Sequence, residues 1–218
     1  VEGSAGRGAW SIVVVGPLER KLASTGRDQV GRGERGGELA RLAAGAQAEV
    51  RVERGYLPHG AAPSSFAVAL PGGVNFCFDP VRCGVSYVWT GGFLDLAPMR
   101  PGPGKFMKPA LLEGPVVHRE EGLAPLRRGD PAKVPEVIFT GYTLRDEAIE
   151  FRYTVDGAPV REEVKVRTGG GALVRTVHFP SGNDARWWRV LDGRPPERLA
   201  PGADGKFTLE SPLGKPVP

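Results

Sequence analysis

Cys77 and Cys83 are the chain's two cysteines, and five residues separate them around Asp79-Pro80. If the chain turns there through a five-residue loop, the two stand opposite each other and a cross-strand disulfide can close. Through a four-residue loop Cys77 faces Gly84 instead, and both thiols are small buried hydrophobes. The sequence holds no Cys-x-x-Cys-His run and no zinc spacing, so neither a covalently attached haem nor any other cofactor is expected. The three histidines, His59, His118 and His178, are far apart in sequence. Each could serve as an axial ligand or a general base, and each reads as a surface residue: His59 in the turn after Leu57-Pro58, His118 among the charges of residues 117–121, His178 at the end of a strand. Asp79, Asp95, Glu120, Glu121, Glu162 and Glu163 are the candidates for the carboxylate pair that glycoside hydrolysis needs, and on exposed strand positions they read as solvated acids. No serine sits in a Gly-x-Ser-x-Gly elbow, and Gly169-Gly-Gly171 reads as a hairpin turn, not as a phosphate loop. The residue types therefore point away from an enzyme.

The pair Trp187-Trp188 points to binding. On a strand, neighbours face opposite sides, so one indole belongs to the core and the other to the surface. A surface tryptophan is a stacking platform for a sugar or an anchor for a protein partner. Phe106 and Met107 form a second candidate contact, in the stiff segment Ala97-Pro-Met-Arg-Pro-Gly-Pro-Gly-Lys-Phe-Met-Lys-Pro109, where they are free to dock on another surface.

The elements that must position these residues are strands. Val74, Phe76 and Phe78 alternate with Asn75 and Cys77; Asp79-Pro80 breaks the pattern, and Val85, Tyr87 and Trp89 resume it, which predicts a half-buried β-hairpin. Val50–Arg54 and Ser65–Leu70 read as strands before it. Residues 110–135 read as irregular chain with one apolar piece, Val116-Val117. Residues 137–142, 149–155, 160–166, 172–179 and 186–191 read as consecutive antiparallel strands with one face packed and one wet. A last strand spans Lys206–Glu210. The expected fold is all-β, an antiparallel sandwich over residues 50–218 with long Pro/Gly loops. Residues 1–49 are read apart from it, as one strand at 10–18 followed by a Gly/Arg-rich irregular segment that includes two helical turns at 38–44.

With 218 residues the chain is long enough to bury a core unaided. The net charge of +4 comes from 29 basic and 25 acidic residues mixed along the chain, which makes no nucleic-acid stripe. Gly-Arg-Gly repeats near residue 32 lack the interleaved aromatics of an RNA-binding segment. No run reaches the roughly 18 apolar residues of a membrane span. The chain opens on Val1, which reads as a processed chain or a piece of a longer one.

The stretch from Pro71 to Asp95, with its Gly-Val-Asn-Phe-Cys-Phe-Asp and Trp-Thr-Gly-Gly-Phe-Leu-Asp, resembles a β-rich module of large exported bacterial proteins. Those proteins combine c-type cytochrome domains with sugar-dehydrogenase-like or carbohydrate-related domains. Phe139-Thr-Gly-Tyr142 to Val177 resembles the following sandwich, similar to the supersandwich of carbohydrate-active proteins. The resemblance implies export to a periplasmic or extracellular location and association with electron-transfer proteins. Because the haem motif is missing, this chain is not itself the cytochrome. Two functions follow as expectations. One is a non-catalytic accessory subunit packed on a membrane-bound electron-transfer complex, of cytochrome or photosynthetic reaction-centre type. The other is a carbohydrate-binding module with a tryptophan platform.

Overall fold

The computed structural model describes residues 49–100, 102–120, 122, 124–168, 170–179, 185–188, 195–200 and 205–216. The strand expected at 10–18 and the helical turns expected at 38–44 lie outside them. The described residues form β1 (Arg51–Gly55), β2 (Ser65–Leu70), β3 (Val74–Asp79), β4 (Gly84–Thr90), β5 (Leu94–Asp95), β6 (Leu111–Leu112), β7 (Val116–Arg119) and β8 (Leu126–Arg128). They continue with β9 (Val137–Leu144), β10 (Ala148–Val155), β11 (Ala158–Val166), β12 (Ala172–His178), β13 (Arg186–Trp188), β14 (Glu197–Leu199) and β15 (Lys206–Pro212). One 3₁₀ turn, Ala97–Met99, is the helical element among them. No described helix is long and apolar enough to cross a membrane.

Two five-stranded antiparallel sheets, ordered β1-β2-β3-β4-β7 and β15-β12-β11-β10-β9, make an all-β sandwich. Phe66, Val68, Phe76, Phe78 and Val88 of the first sheet share one core with Ile149, Phe151, Val164, Leu173 and Val177 of the second. Phe78 and Phe151 stack across the gap with ring centres 3.8 Å apart, an aromatic pair worth about 1 kcal/mol beyond its buried area. Period two builds the second sheet as expected: in β10, Ile149, Phe151, Tyr153 and Val155 are buried while Arg152 is exposed. Asp156-Gly157 turns β10 into β11 with both residues at positive φ, the geometry a two-residue hairpin needs.

Three expectations are corrected. The central hairpin is not half-buried: every residue of β2 and β3, and all of β4 but Thr90, is buried. Ala67, Ala69, Cys77, Tyr87 and Trp89 on its second face are covered by Leu57, Phe93, Ala110 and Val116, with Leu96, Met99 and Leu112 packed around them. The two ends of the Pro/Gly segment thus lie as a lid on the sheet, the C-terminal end pinned by the Ala110 N–H donating to Tyr56 O at 2.9 Å. Residues 110–135 are not irregular throughout, since they supply β6, β7 and β8, short strands whose adjacent apolar residues leave no alternation to detect. Finally, β13 does not extend the meander. It pairs with β8 and β14 in a separate three-stranded sheet, and β15 takes the place beside β12.

Candidate functional site

Arg175 stands at an inward position of β12, between Leu173 and Val177, and is fully buried. Its Nε donates to Glu162 Oε1 at 2.7 Å, and its Nη1 donates to both oxygens of Glu120, at 2.7 and 2.8 Å. The Tyr153 hydroxyl donates to the other Glu162 oxygen at 2.7 Å. His118 Nε2 lies 3.3 Å from Glu120 Oε1 at the half-exposed edge of this network. The guanidinium plane packs over the Trp188 indole, 4.4 Å from its centre. Glu120, at the end of β7 in the first sheet, is thereby tied to β11 and β12 of the second, so the network bolts the two layers together.

Burial alone would push the Glu120 carboxyl upward, but the charge of Arg175 and the hydrogen bonds from His118 and Arg175 outweigh it, and the group is held below the usual carboxylate range. Burial and the neighbouring Glu162 raise the Tyr153 phenol well above its ordinary value, which keeps it a proton donor to that carboxylate. Each oxygen of the two buried acids accepts at least one hydrogen bond. The arrangement holds charge in place between the two sheets.

The acids and histidines are therefore redistributed relative to the sequence reading. Glu120 and Glu162, read as solvated, are buried and paired; the signal was parity, because Glu162 alternates with Val160 and Val164 on the apolar side of β11 and Arg175 does the same in β12. Asp79 is also buried and accepts from the Val81 N–H at 2.8 Å, shaping the hairpin loop. Asp95 accepts from the Ala97 N–H at the start of the 3₁₀ turn, Glu163 lies 3.6 Å from Lys165 Nζ, and Glu121 lies outside the described residues. His59 is exposed, as read, with its ring edge-on against Tyr87 and centres 5.3 Å apart, whereas His118 is half-buried on β7. His178, half-buried, faces Arg161 at 3.1 Å through its Nδ1.

The cross-strand disulfide is not formed. The hairpin loop has four residues, and a register shift after Cys77 places it opposite Tyr87, not Cys83 or Gly84. Cys83 belongs to the loop, with φ +49°, and its side chain enters the core between the sheets while Cys77 enters the cluster on the far side. Both thiols are the small buried hydrophobes of the second expectation. Burial pushes each of them up to about 12.

Trp188 is core and Trp187 half-buried, as the strand parity requires. The Trp187 indole N–H donates to Gly129 O at 2.9 Å. Phe106 is 92% exposed and Met107 57%, as is Leu111 a few residues further along.

Residues 76–162 match the family model DUF6797, a domain of unknown function. The match runs from β3 into β11, less than half of the chain, and takes in Glu120, Tyr153 and Glu162 but stops short of Arg175 and the tryptophan pair. No curated protein and no solved structure matches the chain.

Proposed function

We propose that this chain is a non-catalytic, exported accessory domain that packs on a membrane-bound electron-transfer assembly, with the lid over the first sheet as its contact. The observation that carries this reading is the pairing of an anchored lid with an exposed apolar tip. Leu96 and Met99 hold the lid from below, and its backbone is cross-tied by the Lys108 N–H donating to Pro98 O at 3.1 Å. Above it Phe106, Met107 and Leu111 face outward among Arg100, Lys105 and Lys108, and residues 97–112 contain no acid. Large apolar side chains at the centre of a cationic rim are what a docking surface for an acidic protein partner requires. Because the lid is held by its own contacts, little ordering entropy remains to oppose binding.

The resemblance of the hairpin to a module of cytochrome-bearing exported proteins names the class of partner. Purification of the protein from gently solubilised membranes is expected to bring down haem- or pigment-bearing subunits, visible in the absorption spectrum. The double substitution Phe106→Ser and Met107→Ser is expected to abolish that co-elution without lowering thermal stability, since neither side chain is buried. A colourless monomer from both preparations overturns the reading, as does coloured material that co-elutes equally with the variant.

A carbohydrate-binding reading rests on Trp187, whose ring is half-open on β13 with its indole N–H fixed by Gly129 O. Under it, soluble glycans quench tryptophan fluorescence saturably, and Trp187→Ala removes the effect; unsaturated or unchanged quenching ends it.

A further inference from the structure

A cavity of about 270 Å³ lies where the turn after β1, the β3–β4 loop and the end of β7 meet. Two cations line it and no described carboxylate pairs with either. Arg82, from the loop, places its Nη1 3.5 Å from the Ser86 hydroxyl and donates from Nη2 to Glu120 O at 3.1 Å. Arg119, from β7, reaches the His59 ring at 3.2 Å. The Nε of each guanidinium is without a hydrogen-bond partner, and the hydroxyl of Tyr87, a residue 1% exposed, has only the Cys77 thiol, a weak acceptor, beside it. Glu120, the acid in the wall, has both oxygens committed to Arg175.

Bracing of the hairpin loop accounts for the two η nitrogens of Arg82. It accounts for neither Nε, nor for Arg119, nor for the Tyr87 hydroxyl, and a buried donor left unpaired costs about 1–3 kcal/mol. His59 is held at φ +61°, in the left-handed region that a non-glycine residue adopts at a cost, with its ring against Tyr87 and Arg119. Burial, and then the charge of Arg119, lower its pKa. Planar guanidinium forks match the oxygens of carboxylate and phosphate groups.

We infer that this cavity binds a small oxyanion, of carboxylate or phosphate class, held between Arg82 and Arg119 with the Tyr87 hydroxyl as a further donor. The ligand supplies the countercharge and the acceptors that the described walls lack.

The test is an NMR titration of the full chain with inorganic phosphate, and separately with acetate, against sodium chloride at constant ionic strength. Saturable shifts at the Arg82 and Arg119 Nε–H groups and an upward move of the His59 titration are expected. Saturation by phosphate alone assigns a tetrahedral ligand, and by acetate alone a planar one. Tyr87→Phe, which removes one oxygen and keeps the ring, is expected to weaken binding about tenfold. Arg119→Gln should weaken it about thirtyfold or more. Shifts that follow the chloride control for both anions overturn the inference, and so does saturation that Tyr87→Phe leaves unchanged. Should Arg119→Gln fail to fold, the tyrosine variant decides alone.

Discussion

Arg175→Met is expected to destabilise the fold by about 3–5 kcal/mol, measured by urea unfolding at neutral pH. The side chain is fully buried, and its removal leaves Glu162 in the interior without its cation and Glu120 with only the His118 ring beside it, 3.3 Å away at the edge of the network. Methionine keeps much of the volume over the Trp188 ring, so the loss is electrostatic and not a cavity effect. Adding Glu120→Gln and Glu162→Gln to the same chain is expected to recover most of the loss, because neutral amides tolerate burial far better than unpaired carboxylates. An Arg175→Met protein within about 1 kcal/mol of wild type would sink the claim that the network bolts the sheets together.

The pH dependence separates this mechanism from simple loss of packing. In the wild type the Glu120 carboxyl is depressed, since Arg175 and His118 outweigh its burial. The unfolded state then takes up the proton first as pH falls, so the pair's contribution is complete above the unfolded value of about 4.3 and is lost as pH falls through that range to the folded value. In Arg175→Met burial acts on the carboxyl without its cation, the folded value rises above the unfolded one, and stability is lost as pH rises through the interval between them. The gap between the two proteins is therefore widest at neutral pH and narrows toward pH 4. A gap that stays constant with pH would assign the loss to packing.

How far the sequence reveals this depends on the distance over which each feature is set. Alternation is local, so the sandwich strands other than β7, and the Asp156-Gly157 turn, are legible to within a residue or two. The second face of the hairpin was not, because what covers Cys77 and Trp89 is a lid some twenty residues further on that has no period of its own. The disulfide geometry turns on where the loop sits: Asp79 pairs with Gly84, so Cys83 falls inside the loop, while Cys77, beyond a register shift, faces Tyr87. The Arg175 network lay half in view. Glu162 and Arg175 occupy apolar parities in their strands, a signal that local reading can use, whereas the partner Glu120 arrives from the other sheet. The cavity that joins His59, Arg82 and Arg119 draws on three separate segments, and nothing in their spacing announces it. Phe106, Met107 and the tryptophan pair were legible for the opposite reason: exposure of an apolar side chain in a stiff loop, or of one of two adjacent indoles, follows from the chain nearby.

Gly114→Ala is expected to cost about 3 kcal/mol and to act on every feature that depends on β7. A Cβ at this position would run into the carbonyl oxygen of Thr90, a backbone atom that no rotamer change can move aside. The collision lies where β4 hands over to β7: the Thr90 N–H donates to Pro115 O at 3.2 Å and the Gly92 N–H to Glu113 O at 2.8 Å. Relieving it displaces the start of β7, and β7 delivers Arg119 to the cavity and leads directly into Glu120. The substitution should therefore weaken anion binding as well as stability, although it touches no cavity-lining residue. Gly102→Ala is the control. A Cβ there meets no atom within 4 Å, so the expected change is within about 0.5 kcal/mol of wild type. Equal melting temperatures for the two variants would show that the close approach of Gly114 to Thr90 does not constrain the fold, and the coupling from the lid's far end to the Arg175 network would go with it.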